Sequence, residues 1–551
     1  MNKQFRKTLF ISGCLMGAVA VQAQEPNKGK TIDVTSTFKP VLREASKINF
    51  NATEPAVDTT KPRLNYNIPA QNLFFTYQPA GVHPVALKVD SMNAWQSSNY
   101  IKAGIGNIHQ PFVKAGFSFG DGKQTFFNLF ANHYTSKGEL PFQKNSQTSV
   151  AAAGTYKTDK NLEWNAGLGF RSDDYYLYGF QPTTLSYTKE DLRQRFQTIE
   201  GKVDFRNLSP TEFGLNYHPS IKVSSFSDKW DGKGSEINTV VNLPLEKTFG
   251  DDEKFSFNIG ATADLTNYKR EDVSKLDIKN NLYQIATAVA VKLPNVNLHA
   301  GILPSWDQKK FHMLPNIMAD ISTSDKLLTL QVGWVGYYNK GSYQRFASIN
   351  PYLSRPDSLL NTRVIDLYGG LKGTMGDHFT YSAKIGIVTY HDMPLFVNDN
   401  FDGKTFQIRY EPKMNDLQVH SEIGYTVGEK FNATAGVTLN NYYNLDREKD
   451  AYGLIPVELN AAMRWQLIKD LFFYSELWTW NKPRFLGKDG NSYKGDKAFD
   501  LNAGAEFRIT KNFNLWVQLN NLLNDKYQRW NQYEVFGFSI LGGITYSFNT
   551  K

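Results

Sequence analysis

Apolar and polar residues alternate with a period of two through most of this chain. Phe255, Phe257, Ile259, Ala261, Ala263 and Leu265 interleave with Ser256, Asn258, Gly260, Thr262, Asp264 and Thr266. Phe431, Ala433, Ala435, Val437 and Leu439 alternate with Asn432, Thr434, Gly436, Thr438 and Asn440 in the same way. Val457, Leu459, Ala461, Met463 and Trp465 repeat the pattern, as do Leu501, Ala503, Ala505, Phe507 and Ile509. Successive side chains of a strand point to opposite faces, so each segment predicts a strand with one apolar and one polar face. Each is about as long as a tilted strand that crosses a bilayer. The polar faces carry charges and amides, which suits a wet lumen better than the core between two packed sheets. The last such stretch ends the chain, with Ile544, Tyr546 and Phe548 on one face and Thr545 and Ser547 on the other.

Short polar turns punctuate the pattern at residues 120–123, 159–161, 209–212, 250–254, 294–297, 324–326, 376–378, 428–430, 469–470 and 511–512. They lie roughly 30 to 50 residues apart, room for two strands and one longer loop. The spacing varies too much for propeller blades and shows no blade-like repeat. With two strands before the first turn, starting near Ser97, and two after the last, the expectation is an all-β, antiparallel transmembrane barrel of about 22 strands. Both termini then fall on the side of the short turns.

The chain opens with a basic stretch, Lys3, Arg6 and Lys7, followed by a short apolar run from Thr8 to Val21. Val21-Gln22-Ala23 reads as a cleavage site, so residues 1–23 are expected to be a signal peptide. The run is too short to span a bilayer as a helix. It also continues past Cys14, which argues against a lipoprotein box at Ile11-Ser12-Gly13-Cys14. Cleavage at that site removes the single cysteine, and with it any thiol or disulfide chemistry. It also removes three basic residues and no acidic one, lowering the formal charge from +8 to +5. That balance is too mild and dispersed for a nucleic-acid partner. Aromatics make up 14% of residues while the mean hydropathy is −0.44. A barrel with a lipid face, a wet face and aromatic girdles has this combination.

The stretch 501–548 carries a more specific signal. Asn520-Asn521-Leu522-Leu523-Asn524-Asp525-Lys526-Tyr527 is followed by a loop and then by Gly542-Gly543-Ile544-Thr545-Tyr546-Ser547-Phe548. This stretch resembles the last three strands of a TonB-dependent receptor barrel of the Bacteroidetes type. In that resemblance Gly543, Tyr546 and Phe548 belong to the signal read by the β-barrel assembly machinery. It implies an outer-membrane location in a Gram-negative cell and contact with outer-membrane lipid and lipopolysaccharide. The family also carries a large N-terminal plug, and here the sequence departs from it. Residues 24–96 hold Pro26, Pro40, Pro55, Pro62, Pro69, Pro79 and Pro84 and lack a plug-like run of strands. They read as a short, irregular, proline-rich segment of the periplasm or the lumen, with the barrel over 97–551. Thr31-Ile32-Asp33-Val34-Thr35 is similar to a TonB box. Lys28, Lys30, Lys39, Arg43, Lys47, Lys61 and Arg63 make this segment basic, as a solvated linker, as a lining for an acidic lumen or as a contact for a periplasmic or lipoprotein partner. A lumen this wide needs a filler, which could be this segment anchored by Leu73-Phe74-Phe75-Thr76-Tyr77, infolded loops or a separate partner protein.

Catalytic signatures are missing. There is no Gly-x-Ser-x-Gly elbow, His-Glu-x-x-His, P-loop or Cys-x-x-Cys, and the nine histidines show no metal-pair spacing. Acidic runs at Asp173-Asp174 and Asp251-Asp252-Glu253 read as solvated turns rather than calcium sites. The expectation is a non-enzyme without cofactor or metal. The longer loops are the better functional surface. Tyr175, Tyr176, Tyr178 and Phe180 lie in 171–190, and Tyr343, Arg345 and Tyr352 in 341–357. Aromatics beside arginine can stack on sugars or anchor a partner. They can equally form the outer aromatic girdle, a role expected also of Trp478, Trp480 and Trp530. The leading functional expectation is transport of a nutrient or oligosaccharide across the outer membrane. The alternative is a non-transporting barrel subunit of a secretion, assembly or surface-protein complex.

Overall fold

The computed structural model describes residues 99–549, apart from 109, 122, 230–232, 251–253 and 273–274. The expected signal peptide, the proline-rich segment and the TonB-box-like stretch lie outside the described residues. One antiparallel sheet of 23 strand segments closes on itself. Two of its segments, Leu215–Tyr217 and Ser220–Asp228, are halves of one broken strand against Lys233–Phe249, so the barrel has 22 strands. The break falls at Pro219, which has no N–H for the ladder. His218 beside it turns its Nε2 to Asp204 at 2.8 Å.

The barrel runs from Asn99–Gly106, which pairs on one side with Phe112–Gly120, to Ser539–Phe548, which pairs with its other side. Asn99 lies opposite Phe548, so both ends of the sheet sit at the mouth of the short turns. All ten turns expected from the sequence join paired strands at that mouth. Several connections at the opposite mouth are long, notably 177–192, 340–361, 444–456, 481–497 and 521–538.

Alternation sets the two faces of the wall. In Phe255–Glu271 the residues Phe255, Phe257 and Ile259 are exposed on the outside, while Ser256, Thr266 and Tyr268 are buried on the inside. Leu168, Ile199, Leu367 and Ile385 continue the outer band around the barrel. So extensive an apolar surface fits hydrocarbon rather than water, where each large side chain is about 1.5–3 kcal/mol less favourable. The inner wall is polar and cross-braced by ion pairs: Arg206–Glu163 at 2.7 Å, Lys372–Asp320 at 2.9 Å and Lys384–Asp366 at 2.9 Å.

The closing seam is built on small residues. Gly104 faces Gly543, and a Cβ on Gly543 would lie 1.9 Å from the Ala103 carbonyl oxygen. A Cβ on Gly104 would meet the Trp516 ring at 2.5 Å, so this ring lies directly against the seam. Wall height varies. Phe379–Asn398 has 20 residues and Phe406–Val427 has 22, about twice the ten or so that a tilted strand needs to cross a bilayer. From this raised rim the long loops fold back inward.

Candidate functional site

The connection 340–361 descends into the lumen and carries the seven-residue helix Tyr343–Ile349. Ser342 caps it, its hydroxyl accepting from Arg345 N at 3.1 Å. Tyr343, Phe346 and Ala347 fall at i, i+3 and i+4, so they share one face, and all three are buried. That face meets Phe196, Phe226 and Tyr268 of the inner wall. Tyr343 stands edge-on to Phe226 at 5.1 Å and to Tyr268 at 5.4 Å. The connection 521–538 supplies a small hairpin, Gln528–Trp530 with Tyr533–Glu534. Trp530 wedges between Phe396 and Phe406 at 5.5 Å from each. Tyr533 stacks on Tyr352 at 3.5 Å, and Tyr178 packs edge-on against both. Three separate connections, with Tyr178 from 177–192, thus converge on one aromatic core inside the mouth.

Polar contacts fasten this core to the wall. Asp228, at the end of its strand and 2% exposed, accepts a two-pronged pair from Arg355, Nε to Oδ2 and Nη2 to Oδ1, both at 2.9 Å. The Tyr343 hydroxyl donates to the same carboxylate at 2.6 Å. Glu236 accepts from the backbone N–H groups of Tyr343 at 2.6 Å and Gln344 at 3.3 Å, which are free at the start of the helix. Asn280 donates to the Gly341 carbonyl at 2.8 Å and exchanges hydrogen bonds with Asn361, fixing the two ends of the connection. A second fastening lies at the turn 399–405. Asp402 accepts from the Tyr187 hydroxyl and pairs with Lys404 at 2.9 Å, while Tyr533 donates to the Lys404 carbonyl. Burial raises the Asp402 carboxyl, but the bonds from Tyr187 and Lys404 outweigh it and hold the group below the usual carboxylate range. Burial pushes the Tyr178 phenol up to about 12, so it stays a neutral donor to the Glu534 carbonyl at 2.7 Å.

The structure gathers most of the loop residues singled out from the sequence. Tyr175, Tyr178, Tyr343 and Tyr352 share the central cluster, while Tyr176 and Phe180 belong to an adjoining one with Leu177 and Leu192 that Tyr352 touches. Arg345 sits on the opposite flank of the helix and lies outside both clusters. The girdle reading of three tryptophans is corrected. Trp530 is inside the mouth, Trp480 packs on Tyr527 at 4.8 Å, and Trp478 shares the inward parity of Trp480. Sequence reasoning missed Asp228, Glu236, Arg355, Asp402 and Tyr533. Of these, only Arg355 and Tyr533 lie in long loops that composition could have flagged. Gly543, Tyr546 and Phe548 lie on the closing strand, where Tyr546 packs outward on Phe513 at 4.8 Å and on Phe548 at 5.4 Å. Among the described residues no group of three His, Cys, Asp or Glu is placed to hold a metal ion.

No protein-family model matches the chain, and no curated protein matches it. Solved structures do match its fold. A ferric enterobactin receptor variant from Pseudomonas aeruginosa superposes with a TM-score of 0.63 at 10% identity, over 83% of this chain and 81% of that one. The ferripyoverdine receptor of the outer membrane of Pseudomonas aeruginosa gives 0.62 at 10% identity, over 82% and 72%. The siderophore receptor PirA of the same organism gives 0.58 at 11% identity, over 82% and 80%. The barrel has the fold of outer-membrane receptors.

Proposed function

We propose that this chain is an outer-membrane transport barrel whose outer mouth is closed by its own loops and opens to admit a nutrient. The observation that carries this reading is the infolded plug of 340–361 and 521–538. Two loops are held inside a polar lumen by a few breakable contacts: Arg355 on Asp228 and Glu236 on the helix start for 340–361, and the Tyr533 hydroxyl on the Lys404 carbonyl for 521–538. A barrel that only scaffolds partners has no need of a closure that can be released. The fold shared with siderophore receptors supports the transport reading and favours a cargo of that size class, a chelate or a short oligosaccharide. The short-turn mouth faces the periplasm, and the long loops face outward. The test is ion conductance of the purified full chain in planar bilayers. Wild type stays closed, and Arg355→Gln, which strips the cation from Asp228, opens the pore intermittently. A variant that stays closed under all voltages and shows no leak to small sugars in liposomes counts against transport.

A further inference from the structure

We propose that Arg345 forms a binding subsite for an oxyanion, a carboxylate or phosphate group carried by the transported molecule. The proposal rests on the transport reading and deepens it by naming the charge of the cargo. Helical spacing of about 100° per residue places Arg345 away from the face of Tyr343, Phe346 and Ala347 that packs into the aromatic core. Its side chain turns back toward the strand end Leu328–Asn339, where Nη1 donates to the Lys340 carbonyl at 2.7 Å. A guanidinium has five N–H donors, and the Nε of Arg345 is buried with no acceptor.

The acids that act on its neighbours Lys340 and Tyr337 have cations or donors of their own. Glu236 takes the N–H groups of Tyr343 and Gln344. Asp264 pairs with Lys340 at 3.3 Å and accepts from Asn238 at 2.6 Å. Asp307 accepts from Asn361 at 2.7 Å, and Asp366 pairs with Lys384 at 2.9 Å. Among the described residues, the ionisable group that faces the Arg345 guanidinium is the Tyr337 phenol, which is neutral. The other deep loop arginines differ: Arg355 is clasped by Asp228, and Arg529 faces Glu458 and lies over the Trp530 ring. Burial pushes the Arg345 guanidinium down to about 10 with no carboxylate to offset it.

A second donor lies on the strand end that Arg345 reaches. Asn339 lies one residue before Lys340, shares the inward parity of Tyr337, and has a buried Nδ2 without a partner. A buried cation without a counter-charge is costly, whereas an oxyanion with two acceptor oxygens fits the guanidinium fork and leaves one oxygen for an amide. A neutral sugar supplies acceptors but no counter-charge, which is why an anionic group is favoured.

The test is calorimetric titration of the full chain in detergent at low ionic strength with succinate, inorganic phosphate and maltose. Saturable binding of succinate or phosphate, with maltose silent, is expected, and whichever anion binds more tightly identifies the group. Arg345→Gln is expected to weaken it by roughly tenfold or more, with Arg345→Lys between the two because it keeps the charge and loses the fork. Heat-modifiable gel mobility confirms that each variant retains the barrel. No binding of either anion to wild type, or equal binding by a folded Arg345→Gln, overturns the subsite. Conductance separates the two readings: a pore that opens in Arg355→Gln while no anion binds leaves transport standing and removes the subsite.

Discussion

Asp228 shows how much of the closure rests on single side chains. It lies at the tip of an inner-wall strand, and Arg355, 127 residues away, reaches it from the infolded loop. Removing one partner of a buried pair leaves an uncompensated charge, so Arg355→Leu is expected to lower stability by about 3–5 kcal/mol. Tyr343→Phe removes one hydrogen bond from the same carboxylate and leaves the ion pair, an expected loss of about 1 kcal/mol. Urea unfolding of both variants from lipid vesicles checks the order, which reverses if the phenol rather than the arginine holds Asp228. Neither contact could be read from the sequence. Asp228 is one polar residue in an alternating strand, and only the folded barrel brings it under a loop from the far side of the lumen. The loop aromatics were readable as a group because their clustering is local, yet their choice between girdle and plug depends on whether the loop turns in or out.

At the scale of elements, strands were readable and loop conformations were not. Alternation and turn chemistry are short-range, so Phe255–Glu271, Phe431–Tyr443 and Val457–Ile468 contain the segments expected as strands, and Ala498–Arg508 contains all of its segment but Ile509. Strand length was less visible, because alternation fades where the wall rises above the membrane. Leu395, Phe396 and Val397 are consecutive and all buried, since packing covers both faces there. The turn 399–405 carries a pH dependence. Asp402 is held below its usual range in the folded protein, so its contribution is full above the ordinary carboxylate pKa and fades as pH falls through the lowered value. Hydrogen exchange of 399–405 and 177–192 is therefore expected to be equally slow at pH 7 and pH 5, and to quicken at pH 3 after correction for the intrinsic rate. Asp402→Asn is expected to remove that difference, and its persistence would assign the acid sensitivity elsewhere.

The molecule as a whole is a closed wall with an inner stopper, and the two depend on different residues. Wall closure runs through the seam where Gly543 meets Ala103 and Gly104. A side chain at Gly543 has no room, so Gly543→Val is expected to abolish the compact, heat-modifiable form on unboiled gels. Substitutions in the stopper are expected to leave that form intact. The central claim is that the loops themselves close the mouth. Planar-bilayer conductance tests it most directly, measured on wild type and Arg355→Gln, each with and without residues 24–95. The account predicts that wild type stays closed with or without that segment, and that Arg355→Gln conducts intermittently with or without it. A wild-type barrel that opens fully on deletion of 24–95 alone would contradict it, because the N-terminal segment rather than the loops would then be the seal.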